Sequence, residues 1–514
     1  MKRSLFFISL SFLAIASCST KFDLNKTVSS SSEDQSFEKQ SSSDSCDICD
    51  FTVSENLLRK YLKYFSKDKT VDIIRPISES NNILAYYVRY ADNKGWDLIS
   101  ADKRMTPVLV SADEGELPVY FEEESTLSPV TSMLQSVIDI RKSNSKDENG
   151  IWNFLSPNSK YEKHTPTQLK NIITTKARSN LRGLGEGMWI AVDTLIVDTI
   201  ISAPRLINTE WAQDSTSITS FYNAFTPIKN NKHCPVGCGP VAVGQLLFKY
   251  IKNNPGQHAI PVSASMQPDG SVSFGPLSSE AWELLGFNAN YNTTVFLSWL
   301  GAPSQMNSTY QPNSTGTPWI NDTSMLGNYL NFSDGFEVSN NSNISLKETF
   351  CGLIVSSIDN GSPLFVVSGT HVFLIDFYKR SIFQYVIRYE FDPYHVITDD
   401  EYYTFPSWRF DWPNDYDPNK DTAQFDEYVN MIDQIQIKMN WGWGSERTVS
   451  DPNNQYITYS IYPNSLLYNI YSQSRYIDGN GTLYDSQSIN LYWSVSSDYN
   501  YDGALSFVYN FSVK

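Results

Sequence analysis

The 514-residue chain contains 41% hydrophobic and 14% aromatic residues, with 25 glycines and 24 prolines. This composition excludes a disordered or collagen-like protein, and at roughly 150 residues per domain the length predicts two to four structural units. The formal net charge of −17 repels phosphate backbones and argues against nucleic acid as a partner.

The first residues have the pattern of an export signal. Two basic residues precede an apolar run, residues 5–16, that is too short to span a bilayer. The run ends in Ile-Ala-Ser-Cys at residues 15–18, which resembles the bacterial lipobox. We therefore expect residues 1–17 to be a lipoprotein signal peptide and Cys18 to be acylated. An ordinary cleavage site beside a chance cysteine is the alternative.

Residues 18–50 are rich in Ser, Asp, Glu and Lys, which predicts a flexible tether. The chain is thus expected to be exported and lipid-anchored to the bacterial cell envelope, at the outer membrane or the cell surface. Cys46 and Cys49 lie in the tether, but without a second Cys-x-x-Cys pair they do not predict a structural zinc site. Six cysteines in all are too few for a disulfide scaffold.

Residues 51–150 predict a small α+β unit. Apolar residues at helical spacing indicate a helix within 51–66. A second helix is predicted at Val130–Ile140, with Ser128 as its cap. Three strand-like runs lie between the two helices: Ala85–Tyr90, Trp96–Ser100 and Met105–Ser111.

Residues 151–200 predict a linker between two units. Its polar part, 156–187, contains basic residues and nearby glycines, which favours proteolytic cleavage there or elsewhere before Ala203. Residues 189–200 have the composition of a β-strand. From 201 to 514 we expect a second, larger unit, with one clear helix near its start and many short aromatic strands after it.

The sharpest local feature is Pro-Val-Gly-Cys-Gly-Pro at residues 235–240, followed by an apolar helical run. The glycine-flanked turn delivers Cys238 to the first turn of a helix. A helix amino terminus carries partial positive charge and free N–H groups, which stabilise a thiolate. A nucleophilic cysteine needs this environment. The alternative is a buried structural cysteine at a helix start.

His371 is one of five histidines and follows Cys238 by 133 residues. That separation lies within the broad range known for catalytic Cys and His pairs. Small residues at 368–370 lead into the histidine, and an apolar strand follows it. The sequence therefore places an imidazole at the start of a buried strand. A histidine satisfied within the core or at a sheet edge is the alternative.

Two further segments carry side chains suited to support such a pair. Asn440 and Trp441 open the motif Asn-Trp-Gly-Trp-Gly, where the amide is suited to accept from the imidazole N–H and the indole to shield that contact. The same motif is also compatible with a simple strand end and tight turn. Gln213 lies 25 residues before Cys238, and its amide is suited to donate to a developing oxyanion.

Taken in order, these four motifs resemble those of the streptopain family of bacterial cysteine peptidases. Residues 86–109 resemble that family's pro-domain, and Ala203–Leu206 resembles the start of its mature enzyme. The resemblance implies an α+β, papain-like catalytic domain at 201–514, with a helical part bearing the cysteine and a twisted antiparallel sheet bearing the histidine. It also implies an inhibitory pro-domain at 51–150.

The family's functional roles are carried over to matching positions. The resemblance implies that Cys238 is the nucleophile and His371 the general base and acid. Gln213 becomes the oxyanion donor, and Asn440 with Trp441 the support of the histidine. Protein or peptide substrates are implied, with no cofactor and no metal. Together with the export signal, the resemblance predicts an exported cysteine endopeptidase that is made as a zymogen.

The chain departs from the family pattern in places. Gly239 and a proline follow the cysteine, and Val372 follows the histidine. His371 and Asn440 are 69 residues apart, although the family joins these strands by a short turn. Residues 379–430 therefore predict an insertion on that hairpin. The last ~60 residues have no clear counterpart in the family pattern.

Two other functions use the same motifs. The first is a surface binding protein on a catalytically dead peptidase scaffold, against which the intact Cys, His and Asn argue. The second is an acyltransferase that passes the acyl group to an amine, and its dyad would be identical to that of a peptidase.

Overall fold

The structure is a computed structural model that describes much of the chain from residue 51 onward. The described residues are 51–66, 69–79, 82–117, 128–143, 152, 186–217, 220–312, 314–339, 342–368, 371–396, 424–443, 447–451, 454–461, 466–477, 483–489 and 505–514. The predicted signal peptide, Cys18 and the tether lie outside them, as does nearly all of the predicted linker before Glu186.

The helices begin where the sequence offers a turn or a capping side chain. Side-chain oxygens of Ser54, Asn290 and Asn343 each accept a backbone N–H of the following first turn. A short 3₁₀ helix spans Glu280–Leu284. The described α-helices are α1 Glu55–Phe65, α2 Ser128–Lys142, α3 Cys238–Ile251, α4 Tyr291–Leu300, α5 Trp319–Tyr329 and α6 Ile344–Asp359.

The strands fall into one large sheet and several two-stranded ribbons. In chain order they are β1 Val71–Glu79, β2 Asn82–Tyr90, β3 Trp96–Ser100, β4 Val108–Ala112, β5 Glu186–Ser202, β6 Ser215–Ser217, β7 Ser220–Phe221, β8 Ile228–Lys229, β9 Lys232–His233, β10 Ile260–Pro261, β11 Ala264–Met266, β12 Val272–Phe274, β13 Leu277–Ser278, β14 Thr309–Tyr310, β15 Thr315–Gly316, β16 Leu330–Asp334, β17 Leu364–Ser368, β18 His371–Val396, β19 Gln424–Asn440, β20 Arg447–Asp451, β21 Asn454–Ile461, β22 Leu467–Ile477, β23 Leu483–Ile489 and β24 Leu505–Val513.

A single antiparallel sheet joins the amino-terminal unit to the larger unit. The strand order is β1-β2-β3-β4-β22-β19-β18-β17-β24-β16, with β23 beside β22 and β5 beside β18. The two units meet where Val110 pairs with Tyr468 and Ser111 with Leu467. Gln436 crosses the same junction, because its Nε2 donates to Ser111 Oγ at 3.0 Å. The predicted α+β class with a large antiparallel sheet is confirmed.

Strands β18 and β19 form a long hairpin with two parts. We call residues 371–378 with 437–440 the hairpin base, and residues 379–396 with 424–436 the hairpin arm. In the base, Leu374 pairs with Asn440, and in the arm the pairing continues to Glu390 and Gln424. The arm begins at the same residue as the predicted insertion, residues 379–430, and extends six residues beyond its end. Its tip, residues 397–423, lies outside the described residues.

Strand β5 pairs with the arm along its whole length. The register runs antiparallel from Ser202 beside Lys379 to Glu186 beside Val396, with two irregularities. The end of the predicted linker is therefore a strand of the large sheet and does not run free between two units. Local composition indicated a strand here but gave no sign of its partner.

Three apolar clusters lie among the residues that the structure describes. One surrounds α3 and contains Trp211, Trp282 and Phe296. A second lies against the large sheet and joins Trp441 and Trp443 to residues of the amino-terminal unit, and a third lies under α1. Among the described residues, no helix is both long enough and apolar enough to cross a membrane.

Candidate active site

The turn before α3 brings Cys238 to the first position of that helix. Gly237 caps the helix with φ of 103°, a backbone conformation that side chains other than glycine's rarely adopt. A Cβ at Gly237 would also lie 3.0 Å from the Cγ2 atom of Thr315. The Thr315 hydroxyl donates to the Pro235 carbonyl at 2.6 Å and holds the approach to the turn. Glycine is therefore required immediately before the cysteine.

The Cys238 side chain is 6% exposed. Burial raises the pKa of the thiol to about 11, and the nearby Asp322 carboxyl raises it as well. Backbone N–H groups of Val372, Gly239 and Cys238 itself act in the opposite direction and lower this pKa. The contact with Val372 locates the thiol beside the residue that directly follows His371. The structure thus places the thiol of α3 next to the second residue of β18, the strand that begins at His371.

His371 opens β18 opposite Ser368 of β17. Its Nε2 lies 3.1 Å from the backbone carbonyl oxygen of Trp441. Because a carbonyl only accepts, Nε2 carries the proton, and Nδ1 is left as the basic nitrogen. Burial lowers the pKa of the imidazole to about 4, although the bond to the Trp441 carbonyl raises it. At neutral pH the thiol and the imidazole are therefore both uncharged in this form of the chain.

Two tryptophans enclose the imidazole. The ring of Trp441 lies 5.4 Å from that of His371 and the ring of Trp443 lies 5.2 Å from it, centroid to centroid. The two indoles stack on each other at 5.3 Å. Trp443 is held in place by a β-bridge to Ala212. The sequence analysis identified Trp441 but missed Trp443. Its position two residues further along the same motif could have indicated that it lies beside the histidine as well.

Asn440 supports the histidine in a different way from the one expected. Its Oδ1 accepts from the Gln245 side chain and from the Gly442 backbone, both at 3.2 Å. Its Nδ2 donates to the Thr209 carbonyl at 3.2 Å. The predicted acceptor for the imidazole N–H was the Asn440 amide, whereas the structure has the Trp441 carbonyl in that position. Asn440 fixes the turn that presents this carbonyl.

Gln213 lies close to the nucleophile in space. Its backbone carbonyl accepts from the Val236 N–H at 2.6 Å, two residues before Cys238. The preceding residue, Ala212, forms the bridge to Trp443. The structure thus brings the Gln213 segment to both halves of the site. The role of its amide in binding an oxyanion stays a prediction.

An ion pair attaches residues 203–210, which lead to Gln213, to the hairpin base. Arg205 Nε donates to Asp376 Oδ2 at 3.1 Å, and the Ile207 N–H donates to the same oxygen at 3.2 Å. Arg205 also lies 3.3 Å from Glu210. Burial raises the pKa of Asp376, and the Arg205 guanidinium opposes this shift. Asp376, five residues after His371 on the same strand, therefore positions residues 203–210 beside that strand.

Part of the chain matches the model of a known protein family. Residues 213–389 match the model of the Peptidase C10 family, roughly a third of the chain, and the match includes Cys238 and His371. The resemblance to the streptopain family is thereby confirmed, and it supports a cysteine peptidase. Asn440 and Trp441 lie beyond the matched residues. No match was found among curated proteins.

Two of the solved structures that are similar to this chain come from the same organism. One is a mutant fragment of prointerpain A from Prevotella intermedia, at 12% identity and a TM-score of 0.36, covering 81% of this chain and 98% of that one. The other is the active wild-type interpain A cysteine protease from Prevotella intermedia, at 14% identity and a TM-score of 0.27, covering 52% and 93%.

Proposed function

We propose that the chain is a cysteine endopeptidase in which Cys238 is the nucleophile and His371 the general base and acid. The observation that carries the proposal is the meeting of two elements: the thiol at the first turn of α3 lies against the Val372 N–H, directly beside the histidine. Nε2 of that histidine donates a hydrogen bond to the Trp441 carbonyl, which leaves Nδ1 to take the proton of the thiol. A Cys–His pair with an oriented imidazole is the arrangement for nucleophilic catalysis.

The reaction follows as acyl transfer in two steps. Cys238 passes its proton to Nδ1 of His371 and attacks the peptide carbonyl, while the Cys238 N–H and the Gln213 amide stabilise the oxyanion. The imidazolium then protonates the leaving amine, and a thioester remains on Cys238. Water, deprotonated by His371, hydrolyses the thioester and restores the free thiol.

The full-length chain is proposed to be a latent zymogen. In support, burial keeps both the thiol and the imidazole uncharged at neutral pH. The amino-terminal unit also shares a sheet and an apolar cluster with the catalytic unit. Because β5 pairs with the hairpin arm, we propose cleavage on the amino-terminal side of Glu186, which leaves that strand with the mature enzyme.

Export and anchoring through Cys18 complete the proposal. The support is the lipobox-like sequence at residues 15–18 after a short apolar run. A Cys18→Ala variant is expected to lose membrane fractionation, since stable anchoring requires acyl chains on the mature first residue. If the variant stays in the membrane fraction after alkaline carbonate washing, the anchor is elsewhere.

The test of the catalytic proposal uses the purified chain with an unfolded protein substrate under reducing conditions. Cys238→Ala and His371→Ala are each expected to lower turnover by roughly a thousandfold or more, with the double variant no worse, because the two residues act as one unit. Cys234→Ala is the matched control, since that cysteine is also buried and lies four residues upstream. Turnover that survives in Cys238→Ala at the wild-type rate would place the nucleophile elsewhere.

A further inference from the structure

Asp322, in the first turn of α5, is a buried carboxyl without a role in the reaction outlined above. Its side chain is 0% exposed, and neither carboxyl oxygen has a hydrogen-bond partner among the described residues. Buried polar groups in native proteins are nearly always hydrogen-bonded, and each exception calls for an explanation. A carboxyl that is buried without a partner is strongly driven to the neutral acid form.

The carboxyl lies against the backbone of the nucleophile's helix. A Cβ built at Gly239 would be 2.6 Å from Asp322 Oδ1 and 3.1 Å from its carboxyl carbon. No side chain fits between them, so Asp322 occupies the space that the residue after Cys238 would otherwise fill. This explains why the chain departs from the family pattern at that position: glycine there makes room for the carboxyl.

We propose that Asp322 is a positioning residue for Cys238: it packs as a neutral carboxylic acid against the first turn of α3, and its ionisation shifts Cys238 toward the unreactive thiol. The physical reason is that a second negative charge beside the sulfur opposes formation of a thiolate. This inference rests on the proposed function, because only a nucleophilic Cys238 makes the charge of its neighbour matter for the reaction.

The titration of Asp322 gives the inference its pH range. A carboxyl in the first turn of a helix is usually stabilised in its charged form by the helix dipole. Here burial outweighs that effect and raises the pKa of Asp322 to about 8. The group is therefore neutral below about pH 8 and becomes negative above it, so its opposition to the thiolate appears only on the alkaline side.

The surroundings of Asp322 contain few other titratable groups. Helix α5 packs on α3 and leads into β16, and these two elements carry Cys238, Lys249, Tyr250 and Asp334. Among them, the pKa of Cys238 is the one to which Asp322 contributes. The pKa of His371 is set by its burial and by the Trp441 carbonyl. The link between Asp322 and the reaction therefore runs through the thiol.

The test measures the alkylation rate of Cys238 by iodoacetamide in the full-length protein between pH 6 and 10.5, followed by mass spectrometry of the peptide that contains it. Asp322→Asn is expected to react roughly tenfold faster than the wild type near pH 9, because loss of the neighbouring charge lowers the pKa of the thiol by about one unit. Asp334→Asn is the matched control, because it removes an exposed aspartate from the neighbouring strand and is expected to leave the profile unchanged.

An Asp322→Asn profile that coincides with that of the wild type, in a protein with native thermal unfolding, overturns the inference. If this variant does not fold, Asp322→Ser provides the same comparison. Infrared difference spectra of the wild type against Asp322→Asn provide a second measurement, because burial raises the pKa of Asp376 as well and the wild-type band alone has no single source. The band lost in the variant must be present at pH 7 and disappear with a midpoint near pH 8, and its absence at pH 7 also overturns the inference. Alkylation requires no turnover, so a chain that cleaves no peptide still reports on Asp322, and the two proposals fail separately.

Discussion

The base and the arm of the β18–β19 hairpin belong to the same two strands but lie in different environments. In the base, Phe373, Ile375 and Met439 are completely buried. In the arm, Lys379, Arg380 and Ser381 are half-buried, and the pairing with β5 begins at Lys379. The base carries His371, and Trp441, whose carbonyl bonds to that histidine, directly follows the last residue of the base, whereas the arm carries none of the site residues named above.

This difference supports the prediction that a long connection between the two strands leaves the geometry around His371 unchanged. In the hairpin base, the strand pairing of Leu374 with Asn440 sets the position of His371 relative to Trp441. Lengthening the connection beyond the base adds little to the entropy of closing the loop, about 0.6 kcal/mol for each doubling of its length. The separation of 69 residues between His371 and Asn440 therefore has little effect on the geometry of the pair.

The largest expected difference concerns two ion pairs, one in each part of the hairpin. Arg205→Met leaves the fully buried Asp376 without its cation, and removing one partner of a buried pair costs about 3–5 kcal/mol of unfolding free energy. Arg380→Met in the arm removes the cation of Asp433, which is 4% exposed, but Arg380 is 37% exposed compared with 25% for Arg205, so water replaces more of the interaction and the loss is smaller, about 1–2 kcal/mol. Urea unfolding of both variants measures the difference. Equal losses would remove the distinction between base and arm.

The second prediction concerns the acid side of stability. The pKa of His371 in the folded chain is about 4, below its ordinary value of 6.5. Between these two pH values the unfolded chain holds a proton that the folded chain does not, so stability falls as the pH is lowered from 6.5 to 4. The full effect is roughly 3 kcal/mol. Urea midpoints at pH 4 and pH 7 measure it, and His371→Gln is expected to have a flatter dependence; an unchanged slope would mean that the imidazole is solvated.

A smaller effect is expected where the base meets α3. Asn440→Ala removes one bond each from the Gln245 amide, the Thr209 carbonyl and the Gly442 N–H, although the Gln245 amide still donates to the Thr209 carbonyl at 3.3 Å, and the loss is about 2 kcal/mol. Turnover is expected to fall less than in Cys238→Ala, because Asn440 exchanges no proton. Asn469→Ala is the matched control, since Asn469 is equally buried but its amide atoms make no hydrogen bond among the described residues. If the control loses as much stability, the bonds of Asn440 are not the cause.

The smallest effect is expected for shortening the arm. Residues 384–431 are replaced by Asn-Gly, which joins the paired Phe383 and Ile432 through a two-residue hairpin turn. We expect turnover of a short peptide to stay within about threefold of the wild type, because the base remains paired. Cleavage sites in an unfolded protein, mapped by mass spectrometry, are expected to change more. A complete loss of peptide turnover in a folded variant would show that the site depends on the arm.

Local pattern was enough to predict several elements of the fold. The helix predicted at Val130–Ile140 extends over Ser128–Lys142, and the strand Trp96–Ser100 has the predicted bounds. The helix that begins at Cys238 follows from its glycine turn and apolar run. Each of these depends on neighbouring residues, which the sequence displays directly.

Two features of the site and one of the sheet could not be predicted in this way. The group that binds His371 Nε2 is a main-chain carbonyl, and every residue type has one. Asp322 is far from Cys238 in the sequence and lies in an ordinary Asn-Asp-Thr-Ser stretch, so only the packing of α5 on α3 brings them together. The pairing of β5 with β18 joins segments almost two hundred residues apart, and strand composition does not specify a partner.

The pairing of β5 also determines which backbone groups of the sheet a mature enzyme would expose to solvent. Removal of everything before Ala203 would free the β18 side of the arm, where backbone N–H and C=O groups now bond to β5 from Lys379 to Val396. An exposed strand of that length is a template for pairing with another chain. A cut on the amino-terminal side of Glu186 keeps this surface covered. The position of the cut therefore decides between a self-contained peptidase and one prone to assemble through its sheet.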